Sequence, residues 1–304
     1  MALLSWLEGV RLPFITELML LITHLGEETA FLLIALVVYW CINKRLGYYI
    51  LSVGFIGTVA NQFLKMLFRV PRPWILNPEF TAVEAAKAEA TGFSFPSGHT
   101  QSSVGTFGAI AFQTKYRWAR ILCICMAVLV PFSRMYLGVH TPQDVLVSVI
   151  IALLLIFAVY PFIFGDGKRR IKILFAGMIL LSAGYLLFVH LYPFPSDVDQ
   201  TRLTSGIESG YTLFGCMIGL VVVYFVDKKW LNFQVKAKWW AQIIKVILGV
   251  ALVLAVKSGL KTPLNMLTGE YIGRAIRYFL MVIVAGILWP LSFQLFAKIG
   301  DKEC

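Results

Sequence analysis

The chain has 304 residues, 59% of them hydrophobic and 14% charged, with a formal net charge of +11 at pH 7. Its mean hydropathy is +0.79, whereas soluble domains are roughly half apolar. The excess lies in runs of about 15–25 residues with few charges, long enough to cross a hydrocarbon core of roughly 30 Å. A soluble domain is thereby excluded, and an all-α, polytopic transmembrane helical bundle of eight or nine helices is expected.

The N-terminal stretch MALLSWLEGVRLPF lacks a basic start and a small-residue cleavage site, so it does not read as a cleaved signal peptide. Residues 12–25 are short for a span and carry Glu17 and His24, which predicts an interfacial or half-embedded helix. Clearer spans follow at about 27–43, 46–69, 97–114, 118–138, 143–164, 171–189, 206–226, 239–259 and 272–297. The polar segment GDGKRRIK, residues 165–172, separates a first bundle, 1–165, from a C-terminal bundle, 166–304.

The basic residues collect at every second junction. Lys44 and Arg45 follow the first full span, Lys115, Arg117 and Arg120 the third, and Lys168, Arg169, Arg170 and Lys172 the fifth. Lys228, Lys229, Lys236 and Lys238 follow the seventh, and Lys298 and Lys302 the last. Cytoplasmic loops collect Lys and Arg in this way. The net charge is therefore topological, and nucleic acid is not an expected partner. The junctions 70–96, 134–142, 190–205 and 260–271 then face outward. Cys41, Cys123, Cys125 and Cys216 lie in apolar runs and Cys304 is the last residue, so no structural disulfide is expected. Cys123 and Cys125 do not have a zinc spacing.

Three polar clusters interrupt this apolar chain. KMLFRVPRP supplies Lys65, Arg69, Arg72 and Pro73, cations that suit a phosphate through a bidentate Arg and a point-charge Lys, or that anchor a loop to headgroups. GFSFPSGHTQSS places Pro96, Ser97, Gly98 and His99 where a helix begins. The free N–H groups of such a start form an anion site, and His99 stands one step away to give or take a proton. SRMYLGVHTPQD supplies Ser133, Arg134, His140 and Asp144. His140 and Asp144 are four apart, so the carboxylate could orient the imidazole, although Pro142 between them also suggests a cap-like geometry. The topology puts all three clusters on one side of the membrane. No pair of Asp or Glu accompanies these histidines, so neither a catalytic metal nor another cofactor is expected. Phosphoryl transfer to a side chain and then to water accounts for every member.

The pattern K-x6-RP, then PSGH, then SR-x5-H-x3-D resembles the type 2 phosphatidic acid phosphatase (PAP2) superfamily in residue and spacing, over roughly residues 12–164. The resemblance implies a six-helix core, with about four additional C-terminal helices outside it. It also implies a metal-independent lipid phosphate phosphatase. His140 is then the nucleophile forming a phosphohistidine, Asp144 its orienting group and His99 the acid for the leaving oxygen. Lys65, Arg72, Ser97, Gly98 and Arg134 would bind phosphate. The membrane spans argue against the soluble haloperoxidase and acid phosphatase branches. An extracytoplasmic site fits lipid phosphates of the outer leaflet: undecaprenyl pyrophosphate first, then phosphatidylglycerol phosphate and phosphatidate. The short loop from Trp74 to Phe95 leaves the site little cover.

In the C-terminal half, Arg274 and Arg277 are i,i+3 and form either a second anion site or, as the preferred reading, a snorkelling interface pair; Glu208 could pair with one of them. Gly206, Gly210, Gly215 and Gly219 are expected to permit close helix packing, and Trp230, Trp239 and Trp240 to form an interface belt. His24 and His190 read as isolated. A lipid phosphotransferase using the same residues, and a lipid-phosphate transporter or scramblase that only binds, remain open at this stage.

Overall fold

The computed structural model describes residues 1–298; Lys302 and Cys304 lie outside the described residues. The described residues are helical and contain no strand. They form two compact units, one of residues 1–34, 49–165 and 194–206, the other of residues 35–48, 166–193 and from 207 onward.

The first unit begins with α1 (Ala2–Gly9) and α2 (Pro13–Thr23), whose Pro13 sits in the first turn, where no backbone N–H is lost. A short 3-10 turn (His24–Gly26) leads into α3 (Glu28–Val37). The segment expected to lie at the interface thus continues, with a 60° bend, into the apolar helix that follows, and the two are either a broken span or a re-entrant loop. Next come α4 (Lys44–Phe68), α5 (Pro73–Leu76), α6 (Glu84–Glu89), α7 (Gly98–Gln113), α8 (Arg117–Tyr136) and α9 (Pro142–Phe164).

Helix α7 is shorter than expected. At 16 residues it is not among the seven helices that are long and apolar enough to cross a membrane. Its sequence gives the reason: Ser102, Ser103, Thr106 and Gly105 are small and polar, and they are buried against protein. A Cβ at Gly108 would stand 2.6 Å from Ile156 Cδ1, so α9 packs directly onto the α7 backbone. Helices α8 and α9, by contrast, expose Ile121, Leu122, Val128, Leu146, Leu154 and Phe157, an outer face suited to lipid.

The second unit contains α10 (Lys168–Leu191), most of α11 (Gln200–Val226), α12 (Trp239–Gly259), α13 (Lys261–Thr268), α14 (Glu270–Ile283) and α15 (Phe293–Lys298). Gly215 and Gly219 act as packing glycines here. A Cβ at Gly215 would lie 2.2 Å from the Ala275 carbonyl, and one at Gly219 would lie 2.8 Å from Val282 Cβ. Small residues thus bring α11 against α14. Lys44 pairs with the buried Asp227 at 3.0 Å, and the fully buried Lys245 ammonium donates to Trp40 O at 3.0 Å. Trp230 and Trp239 are exposed, as befits an interface belt. His190 is not isolated: its Nε2 lies 3.1 Å from the Tyr211 hydroxyl.

Candidate active site

Within the first unit, the C-terminal ends of α4 and α8, the N-terminal end of α7 and the turn before α9 converge on one pocket of about 320 Å3. Lys65, Arg72, Gly98, His99, Arg134 and His140 line it. Ser97 and Asp144 are buried beside it, at 0% and 2% exposure. The eight residues expected to bind phosphate or carry the chemistry are therefore brought together.

Arg72 is the hub. Its Nε donates to Gly92 O at 2.9 Å, and its Nη1 donates to Val139 O at 2.9 Å and to His140 Nε2 at 3.0 Å. A guanidinium has donors only. Nε2 of His140 must therefore be the acceptor, which places the imidazole proton on Nδ1. Burial holds the His140 pKa well below its ordinary value, with Arg72, Arg134 and Lys65 adding to the effect. The ring is therefore neutral, with its lone pair toward the pocket.

Asp144 serves two structures at once. Its Oδ2 accepts from Ser94 Oγ at 2.6 Å and from Thr141 N at 2.8 Å, and Thr141 Oγ1 accepts from Asp144 N. That is a capping box at the start of α9, with Pro142 in the first turn. The same Oδ2 lies 3.4 Å from His140 Nδ1. Nδ1 has no hydrogen-bond partner among the described residues, so this approach is electrostatic. The cap-like geometry and the His–Asp approach coexist.

The remaining members are anchored by neighbours that the sequence did not reveal. Lys65 Nζ donates to Phe93 O at 2.9 Å. Arg134 Nη1 donates to Thr23 Oγ1 at 2.7 Å, leaving its Nε without a partner among the described residues. Ser97 Oγ caps α7 by accepting from Thr100 N, and Ser97 N donates to Asp144 O at 3.1 Å. Ser94 lay in a hydroxyl-rich stretch with nothing to single it out, and Thr23 carried no signal.

The pocket also has an acidic side. Glu27, Glu28 and Glu89 line it, as does Arg202, which is 3.3 Å from Asp199. His24 is not isolated: its Nδ1 contacts Glu27 Oε1. One donor atom from each of His24, Glu27 and Glu89 lies within 4.8 Å of the others, a set able to hold a divalent cation. Sequence spacing put no carboxylate pair beside a histidine; folding does.

The loop from Trp74 to Phe95 packs against the N-terminal segment, and its residues 89–93 line the pocket. Phe80, Ala82, Ala86 and Ala90 pack with Leu4 and Leu7 of α1, and Arg11 Nε donates to Tyr136 O at 3.0 Å. Glu8 accepts from Thr81 N at 2.9 Å, which ties the loop to the N-terminal segment. Of the two further candidates, both in the second unit, Arg274 pairs with Glu208 at 2.8 Å. Arg277 is 5% exposed, so it sits within protein rather than reaching out to an interface.

Fold and pocket together define a polytopic membrane protein with a buried cationic site that carries two histidines. Residues 44–168 match the family profile of the PAP2 superfamily, and residues 211–301 match that of the PAP2 superfamily phosphatase transmembrane extension. The chain is 34% identical over 165 residues to phosphatidylglycerophosphatase B of Bacillus subtilis, covering 50% of this chain and 77% of that protein. It is 29% identical over 138 residues to an undecaprenyl-diphosphatase of Sulfolobus acidocaldarius, covering 45% of this chain and 65% of that protein. It is 26% identical over 200 residues to human sphingosine-1-phosphate phosphatase 2, covering 62% of this chain and 49% of that protein. No solved structure matches it significantly. The chain belongs to the PAP2 superfamily.

Proposed function

We propose that the protein is a lipid phosphatase that transfers the terminal phosphate of a membrane lipid to His140 and then to water. The carrying observation is the single pocket that holds Lys65, Arg72, Arg134, His99 and His140. Nε2 of His140 attacks phosphorus along the line of the scissile P–O bond. Charge gathering on the phosphoryl oxygens is met by the three cations and the free N–H groups at the start of α7, already in place before the reaction. A proton that arrives on the substrate's phosphate passes through His99 to the departing oxygen, and the positive ring formed at His140 faces Asp144. Water then attacks the phosphorus, the N–P bond breaks to return neutral His140, and His99 takes the water's proton. The names of the relatives support a lipid phosphate as substrate. The alternation of basic junctions supports an extracytoplasmic site, in the cytoplasmic membrane if the protein is bacterial.

The test is phosphate release from a panel of lipid phosphates and diphosphates by detergent-purified protein, with chelator present, for wild type and His140→Ala. Wild type should release phosphate and the variant should lose at least about a thousandfold, as essential nucleophiles do. Equal activity of the two would overturn the proposal and leave a binding protein. Loss of wild-type activity on chelation, restored by a divalent cation, would overturn metal independence and point to His24, Glu27 and Glu89. Release only when a second lipid is added as acceptor would make it a phosphotransferase.

A further inference from the structure

One turn below the phosphate-binding level, the pocket has a neutral polar floor that this mechanism leaves unused. Asn61 lies one turn before Lys65 in α4, and Gln101 lies three residues after Gly98 in α7. Both line the pocket and both are 3% exposed. Nδ2 of Asn61, Nε2 and Oε1 of Gln101 and Oγ of Ser102 have no hydrogen-bond partner among the described residues. Buried polar atoms are almost always paired, and leaving several unpaired on one pocket wall carries a substantial cost. The backbone makes room for them. A Cβ at Gly57 would stand 2.4 Å from Gln101 Nε2, and one at Gly98 would stand 3.8 Å from Asn61 Oδ1.

Position says which part of a substrate meets this floor. Lys65 stands near the C-terminal end of α4 and Gly98 at the N-terminal end of α7. Asn61 and Gln101 therefore lie about 5 Å further from those ends along their helices than Lys65 and Gly98, about one helical turn. His140 is in the turn before α9, at the level of Arg72 and Lys65 rather than of Asn61 and Gln101. An in-line displacement begun by His140 sends the leaving oxygen away from it, toward the floor. Chemistry says what the leaving group carries there. Gln101 lacks a partner at both ends of its amide, so exchanging its N and O changes nothing. It needs a group that both donates and accepts. A hydroxyl does both, whereas an ionised phosphate oxygen only accepts. The charges agree: the floor adds no cation, and Glu27, Glu28 and Glu89 line the same pocket, against which Arg202 is engaged with Asp199.

We infer that Asn61 and Gln101 form a leaving-group subsite that recognises a hydroxyl next to the scissile ester, as on a glycerol or amino-alcohol phosphate. The inference rests on the phosphatase reading of the site. The test compares kcat/KM for 1-oleoyl lysophosphatidate, for its 2-deoxy analogue that lacks only the hydroxyl, and for farnesyl diphosphate. Wild type is assayed beside Gln101→Met and Asn61→Ala. Wild type should favour the hydroxyl-bearing member of the matched pair by about tenfold, the size of a buried hydrogen bond. Each variant should bring that ratio toward one, and because the ratio is internal to one preparation, a variant that folds less well does not alter it. A wild-type ratio near one, or a ratio unchanged in both variants, overturns the subsite. So does a selective loss on farnesyl diphosphate, which would assign the floor to a second phosphate. Release from none of the three by wild type overturns the phosphatase reading, and the subsite with it.

Discussion

Replacing Arg72 with lysine tests whether this site needs a planar fork or only a positive charge. The guanidinium reaches three acceptors in different directions: Gly92 O, Val139 O and His140 Nε2, at 2.9, 2.9 and 3.0 Å. Lysine keeps the charge but concentrates its donors at one point on a flexible stem. It can satisfy one of the three, leaving two buried acceptors unmet. Hydrogen bonds from a charged donor are worth about 1.5 kcal/mol each at the low end. Losing two therefore removes about 3 kcal/mol of positioning, equivalent to about a hundredfold in rate if it is felt in the transition state. The assay is kcat/KM for phosphate release by Arg72→Lys beside Arg72→Ala, with thermal unfolding in detergent to report folded protein. Lysine should fall about a hundredfold while retaining more activity than alanine. If Arg72→Lys matches wild type in both rate and unfolding temperature, the fork is not what organises the pocket.

Ser94→Ala should lower kcat about tenfold with little change in KM, because the carboxylate facing His140 loses its 2.6 Å hydroxyl partner and holds its position less firmly. His140 is neutral in the folded protein, and its pKa is well below the ordinary 6.5. Below that ordinary value the unfolded chain binds a proton that the folded one refuses. Stability should therefore fall as pH drops below about 6.5; unfolding temperatures measured from pH 7.5 to 5 should decline less steeply in His140→Gln than in wild type. Gly215→Ala forces a methyl to within 2.2 Å of the Ala275 carbonyl, a backbone atom, and should cost about 3 kcal/mol by thermal unfolding. Gly184→Ala, with nothing within 4 Å, should be neutral or stabilising by about 0.5–1 kcal/mol. Equal effects at the two glycines would refute the packing argument.

What the sequence made legible was whatever concentrates information along the chain. In an apolar protein, Lys65, Arg72, His99, Arg134, His140 and Asp144 stand out because charge is costly in lipid, and their spacing at predicted helix ends places them at one level. The glycines at 215 and 219 were legible for a similar reason, since a four-residue repeat of the smallest side chain marks one helix face. What escaped notice was partner choice. Thr23 and Arg134 are 111 residues apart, and Ser94 and Asp144 are 50 apart; nothing local marks either hydroxyl among many others. The acidic wall was hidden because Glu27, in a turn, and Glu89, at the end of the short α6, are far apart in sequence until the fold sets both beside His24.

The contact between Arg72 and His140 has a consequence for how the site is guarded. The lone pair that the proposed reaction requires is occupied, at rest, by a guanidinium proton. The imidazole is thus kept from stray electrophiles and from bulk water alike. A phosphate dianion competes for that same guanidinium and frees the ring as it binds. In the proposed reaction, reactivity is conditional: the substrate itself removes the guard from the atom proposed to attack it.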